Sequence, residues 1–151
     1  FLHPVAPHIA AATAGVRINL ERILTSYQEL ATQSDVVLVE GVGGFQVPLN
    51  DTQDSTDLAT ALGLPVILVV GMRLGCLNHA LLTMRAIKDC GLKCAGWVAN
   101  VTDPGMGALE ENILVLKQRI DAPMLRVVQH QTAPDAQATA ARLELDLLIQ
   151  P

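Results

Sequence analysis

The sequence predicts an α/β fold with a mainly parallel β-sheet, because short apolar runs alternate with amphipathic segments. The apolar runs are residues 36–39, 65–71, 95–100 and 123–128. Uninterrupted apolar runs of this length are typical of strands in a parallel sheet that has helices on both sides, because both faces of each strand are then buried. Strands that alternate with helices are joined by right-handed crossovers and run parallel. We therefore predict that residues 1–151 form a single α/β domain.

Helices are predicted in the intervals between these runs and before the first one. Apolar residues recur at helical spacing in residues 20–31, 76–91 and 109–120. The short polar side chains of residues 54–57 predict the cap of a further helix over residues 58–62, which Gly63 ends.

Composition and charge exclude several classes of function. Half of the 151 residues are hydrophobic but only 3% are aromatic, so the predicted core is aliphatic. A net charge of −5 argues against binding nucleic acid or an anionic membrane. The apolar runs are far shorter than the roughly 20 residues of a membrane span. Cys76, Cys90 and Cys94 match neither a disulfide framework nor a metal pair, which favours a cytoplasmic protein.

Residues 36–44, VVLVEGVGG, place a carboxylate and three glycines at the end of the first predicted strand. Parallel α/β sheets bind ligands at the carboxyl ends of their strands. Glu40 has two interpretations, a solvated loop residue or a ligand of Mg²⁺. Mg²⁺ needs only one or two protein carboxylates, and neighbouring glycine amides suit phosphate oxygens.

Two other predicted strand ends, residues 71–79 and 100–102, also carry glycine or polar residues. A glycine-rich turn that enters a helix leaves unpaired N–H groups, which attract a carboxylate or phosphate. Asn78 would add a donor there, although an ordinary turn with an exposed Asn78 fits equally well. Cys76 is predicted to be a packed or semi-exposed thiol and not a nucleophile, because no base is paired with it locally. The Asn100 amide is able to read a purine edge or to form the following turn.

Four blocks of the sequence together resemble the dethiobiotin synthetase family. They are residues 39–44 (VEGVGG), 64–71 (LPVILVVG), 74–80 (LGCLNHA) and 95–100 (AGWVAN). The resemblance implies a P-loop NTPase-like three-layer fold with a mainly parallel sheet. It also implies an ATP-dependent ring closure in biotin synthesis. In that reaction CO₂ carboxylates 7,8-diaminononanoate, ATP phosphorylates the carbamate, and the neighbouring amine displaces phosphate.

The resemblance also implies roles for individual residues. Those that would contact ATP are Glu40, Gly41, Val42, Gly43, Asn100, Val101 and Asp135. Within this set, Glu40 would bind Mg²⁺ and the residue pair 100–101 would contact adenine. A second set, Gly75, Cys76 and Asn78, would hold the substrate carboxylate from the neighbouring subunit of a homodimer.

The sequence departs from the family pattern at its start. Family members begin with a strand, a phosphate loop of the form G-x-x-x-x-x-G-K-[ST], a catalytic Lys and a Mg²⁺-binding Asp. This chain begins at Phe1 and contains no G-x-x-x-x-G-K-[ST] pattern. We therefore expect the carboxyl-terminal two-thirds of such an enzyme, without the first strand and phosphate loop and inactive by itself. Asn112 also stands where some members have Tyr.

Two alternative functions remain open from the sequence. One is another ATPase of the ParA-like or amidoligase type, which would share the Mg²⁺ carboxylate but would not need the LGCLNH block. The other is a non-catalytic α/β binding or scaffold domain.

Overall fold

The computed structural model describes residues 4–148, and the chain divides into two compact units, residues 1–64 and 65–151. The single domain predicted from the sequence stays a prediction. No helix within the described residues is both long and apolar enough to cross a membrane.

The amino-terminal unit contains helices α1 (Pro7–Thr13), α2 (Leu20–Ala31) and α3 (Ser55–Leu62). The predicted helix over residues 20–31 is confirmed, and the Asn19 side chain caps it by accepting from the Arg22 amide at 3.2 Å. α3 begins with a capping box and ends at Gly63, whose φ of 63° is left-handed. The sequence interpretation missed α1, although Pro7 at its start is a helix-initiating signal.

The predicted strand over residues 36–39 is wrong. These residues form no strand, and the side chains of Val36 and Leu38 are 77% and 84% exposed. An apolar run becomes a strand only if its N–H and C=O groups find a neighbouring strand. Residues 35–44 make no hydrogen bond with any described residue. The apolar pattern is therefore present here without the pairing that a strand requires.

The carboxy-terminal unit confirms the predicted α/β fold with a parallel sheet. Strands β1 (Val66–Met72), β2 (Cys94–Val101) and β3 (Met124–Val128) lie in the order β1-β2-β3, and both pairings are parallel. Helices α4 (Cys76–Asp89) and α5 (Leu109–Arg119) connect them, close to the predicted limits. Helix α6 (Ala136–Ala140) and a short 3₁₀ helix (Leu145–Leu148) were not predicted.

The core of this unit lies between the sheet and helices α4 and α5. It contains Val70, Met72, Cys76, Ala80, Trp97, Ala99, Val101, Ile113, Leu116 and Ile120. Trp97 has no exposed surface, so its predicted burial is confirmed. Cys76 is 2% exposed, so it is packed, which is one of the two predicted alternatives.

β1 is not buried on both faces, contrary to the sequence prediction. Its inward residues pack in the core, but Ile67 and Val69 are 38% and 59% exposed. Successive side chains of a strand point to opposite faces, so Ile67 and Val69 lie on the face opposite to the core residues Val70 and Met72. One of its faces therefore has little cover from the rest of the unit.

Gly96 lies on β2 where a side chain would collide with the core. A Cβ at this position would lie 2.8 Å from Leu125 Cδ2 and 2.9 Å from Leu125 Cγ, and Leu125 is only 1% exposed. We expect Gly96→Ala to lower the free energy of unfolding by about 1–3 kcal/mol through overpacking. Urea unfolding measures this. The same change at Gly107, where a Cβ would have no neighbour within 4 Å, is the control. Equal effects at both positions would contradict the overpacking argument.

Candidate functional site

The segment 40–44, which we call the glycine loop, lies in the amino-terminal unit. Glu40 is exposed and has no hydrogen bond with a described residue. Gly43 and Gly44 have φ values of 76° and 119°. These left-handed conformations favour glycine, as the sequence predicted.

The amino terminus of α3 holds the chain that leaves the glycine loop. The Ser55 hydroxyl donates to the Phe45 carbonyl at 2.6 Å and accepts from the Val47 amide at 2.8 Å. The Ser55 amide also donates to the Val47 carbonyl at 2.9 Å. Beside it, Gln46 Nε2 donates to Asp54 Oδ2 at 3.3 Å. The sequence predicted residues 54–57 as a helix cap but did not indicate that they bind this segment.

Asp54 is the most strongly hydrogen-bonded carboxylate of this region. Its side chain accepts from the Thr56 hydroxyl, the amides of Thr56 and Asp57, and the Gln46 side chain. The pKa of Asp54 lies below its ordinary value of 3.8, mainly because its carboxylate accepts a hydrogen bond from the Thr56 hydroxyl. Partial burial raises this pKa, and the remaining hydrogen-bond donors lower it further. The ionised form is therefore the one that caps α3.

The lowered pKa predicts how stability depends on pH. A carboxyl whose pKa is lower in the folded state stabilises the fold above its unfolded pKa, and this contribution is lost as the pH falls through the folded pKa. Asp54→Ala should cost about 1 kcal/mol at pH 7, as loss of an N-cap does. Below pH 3.8 the difference between wild type and variant should shrink. Circular dichroism during urea unfolding checks this, with Asp51→Ala as the control.

The ends of β1 and β2 lie together in the carboxy-terminal unit. Gly71 pairs with Asn100, and Met72 pairs with Val101. The Met72 carbonyl accepts from the Thr102 hydroxyl at 3.3 Å, which ties the turn after β2 to the end of β1. The side chain of Asn100 is half-buried, whereas Val101 is buried. The structure thus brings these two predicted strand ends to the same edge of the sheet.

The start of α4 follows directly from β1. Gly75 is the N-cap residue with a φ of 93°, and no side chain caps this helix. The Cys76 amide donates to the Arg73 carbonyl at 3.0 Å, and the Cys76 thiol points into the core. Any contribution of Cys76 to a ligand would therefore come from its backbone. Asn78 is exposed within the first turn of the helix.

A small groove lies beside the start of α4. Its volume is about 130 Å³, and its lining includes Gly71, Arg73 and His79. The groove lies next to a helix amino terminus at which the Leu77 and Asn78 amides have no hydrogen-bond partner among the described residues. Such a position is suited to an anionic group.

Asp135 has a structural role in this fold. Its carboxylate caps α6 by accepting from the Ala138 amide at 2.9 Å. An Asp before an alanine-rich segment is an N-cap signal, and this pattern would have predicted α6. Asn112 donates to the Ala108 carbonyl at 2.7 Å within the first turn of α5.

The predicted site residues divide between the two units. Residues 40–43 belong to the amino-terminal unit, and the residues predicted to contact substrate carboxylate and adenine belong to the other. Among residues 4–148, no three His, Cys, Asp or Glu side chains lie close enough together to hold a metal ion.

A parallel α/β sheet with glycine and polar residues at its strand ends is typical of nucleotide-binding proteins. The chain belongs to the AAA domain family, a P-loop NTPase-like family whose profile matches residues 1–138. The particular relatives that it resembles are named ATP-dependent dethiobiotin synthetase BioD. The Aromatoleum aromaticum protein is 58% identical over 142 residues, which are 94% of this chain. The proteins of Nitrosospira multiformis and Ralstonia nicotianae are each 51% identical, over 94% and 97% of this chain.

These relatives confirm the family resemblance identified in the sequence. The chain spans 63–64% of their lengths.

Proposed function

We propose that this chain is part of an ATP-dependent dethiobiotin synthetase. The observation that carries the proposal is its 51–58% identity to relatives of that name over nearly its whole length. In the proposed reaction CO₂ and one amine of 7,8-diaminononanoate form a carbamate. ATP phosphorylates the carbamate, and the second amine then attacks its carbonyl carbon and displaces phosphate to close the ring.

The glycine loop would bind the phosphate end of ATP. Glu40 is exposed and unpaired among the described residues, so its carboxylate oxygens are accessible to a cation. A single carboxylate fits Mg²⁺, which keeps waters and phosphate oxygens as its other ligands. When bound, Mg²⁺ would neutralise charge on the transferring phosphoryl group. Gly41, Val42 and Gly43 would bring backbone close to the phosphates, because two of these positions carry no side chain.

The start of α4 would bind the substrate carboxylate. Gly75 introduces the helix without a side-chain cap. The Cys76 amide donates to the Arg73 carbonyl, so the Leu77 and Asn78 amides are the ones that keep their partial positive charge for a ligand. The Cys76 backbone would form part of this turn, and the exposed Asn78 amide would add a donor. Arg73 at the adjacent groove supports the choice of an anionic ligand.

The carboxyl end of β2 and the segment before α6 would bind the nucleotide base. The half-buried Asn100 amide has both a donor and an acceptor, which match a purine edge. Val101 is buried, so its contribution would come from the backbone. Asp135 would act at the nucleotide loop in addition to capping α6. We further propose a homodimer in the cytoplasm, in which the substrate carboxylate is held by the neighbouring subunit.

A chimera tests this function. In this chimera, the 142 matched residues of the chain replace the corresponding segment of the Aromatoleum aromaticum relative. Purified chimera should release ADP and phosphate only when 7,8-diaminononanoate, bicarbonate, ATP and Mg²⁺ are all present, and it should produce dethiobiotin. The 151-residue chain assayed alone should not turn over. ATP hydrolysis that is independent of the diamine would favour another ATPase, and a folded chimera that neither binds nor hydrolyses ATP would favour a non-catalytic domain.

A further inference from the structure

No hydrogen bond with a described residue holds the glycine loop on its amino-terminal side. Residues 35–44 make no hydrogen bond with any described residue, so the last anchor before Glu40 is the carboxyl end of α2 and its following turn. A loop that presents a catalytic carboxylate must hold it within a fraction of an ångström of its working position. The support must therefore come from the residues that follow the loop.

The first such support after Glu40 is Ser55. Its hydroxyl bridges the Phe45 carbonyl and the Val47 amide at 2.6 and 2.8 Å, and it is half-buried at the start of α3. A Cβ on Gly43 would lie 3.5 Å from Val47 Cγ2, so Gly43 lies beside the residue that Ser55 holds. The same hydroxyl thus connects the glycine loop to a capped helix.

We propose that Ser55 is a positioning residue for the glycine loop: its hydroxyl holds Phe45 and Val47 and thereby orients Glu40 and the amides of residues 41–44 toward Mg-nucleotide. This inference rests on the proposed function. Ser55 itself contacts neither the metal ion nor the nucleotide. A Ser at this position matters because its single hydroxyl donates one hydrogen bond and accepts another at the same time.

Hydrogen exchange tests the anchoring in the 151-residue chain without any activity. In Ser55→Ala the Val47 amide should exchange about tenfold faster, because the hydroxyl that accepts its hydrogen bond is removed. Ser55→Thr retains the hydroxyl and should exchange as wild type does. Ser26→Ala makes the same chemical change at an exposed site on α2 and should leave the loop unaltered.

Asp57→Ala separates positioning from helix stability. The Asp57 carboxylate accepts from the Asp54 amide at 2.8 Å and completes the capping box, but it makes no hydrogen bond with residues 45–47. Both variants should lower stability, but only Ser55→Ala should loosen the loop. Equal exchange of the Val47 amide in Asp57→Ala and Ser55→Ala would overturn the proposal, as would unchanged exchange of this amide in Ser55→Ala.

The chimera supplies the kinetic test. Ser55→Ala should raise the apparent Mg²⁺ constant about tenfold and lower kcat, with the KM for the diamine unchanged, and Ser55→Thr should restore both. An unchanged Mg²⁺ constant and kcat would overturn the positioning role. If the unsubstituted chimera has no diamine-dependent activity, the proposed function is wrong, and the exchange measurement still decides whether Ser55 anchors the loop.

Discussion

Glu40→Ala in the chimera should lower the diamine-dependent turnover by about a hundredfold or more. A metal ion contributes several kcal/mol of charge stabilisation to phosphoryl transfer, and every 1.36 kcal/mol is about tenfold in rate. Removal of the proposed metal ligand should also raise the Mg²⁺ concentration needed for half-maximal activity. The fold should survive, because Glu40 is exposed and bonded to no described residue.

Glu29→Ala is the matched control for this prediction. Glu29 is an exposed carboxylate in the same unit, on α2, and it is not part of the proposed site. Steady-state kinetics and thermal unfolding should be measured on both variants. Retained turnover in Glu40→Ala, with the same Mg²⁺ dependence as the unsubstituted chimera, would remove the metal assignment.

Trp97→Ala should cost the carboxy-terminal unit about 3–5 kcal/mol, which is a large part of the stability of a small unit. Trp97 has no exposed surface and lies in the core between β2 and the helices α4 and α5. Its removal leaves a cavity that close-packed neighbours fill only in part. Urea unfolding monitored by circular dichroism measures the loss. Tryptophan fluorescence is unsuitable, because the variant lacks the only Trp of the chain.

Trp97→Phe distinguishes lost volume from lost hydrogen bonding. The indole Nε1 is buried and has no hydrogen-bond partner among the described residues. Phe should therefore cost only about 1–2 kcal/mol, because it removes part of the volume and no hydrogen bond. Leu82→Ala, at a side chain that is 61% exposed, should cost less than about 0.5 kcal/mol. A Phe variant as unstable as the Ala variant would indicate a hydrogen bond to the indole.

The candidate site was predictable where it depends on strand order. The runs that became β1 and β2 are joined by a helix, so their carboxyl ends had to meet at one edge, and Gly71 and Asn100 are paired there. The roles of these residues remain predictions. Ser55 was not predictable as a support for the glycine loop, because its partners lie 8 and 10 residues earlier and no periodic pattern marks them.

The limits of α2 and α3 were determined by the sequence alone. Asn19 and Asp54 cap α2 and α3, and Gly63 ends α3, because caps are hydrogen bonds between residues at most a few positions apart. Which apolar runs form strands was decided only by the tertiary structure. Residues 36–39 are all Val or Leu, whereas residues 95–100 include Ala, Gly and Asn, which are depleted in strands; yet only the second run pairs with strands on both sides. A strand exists through bonds to a distant part of the chain, and a local pattern contains no information about whether that partner is available.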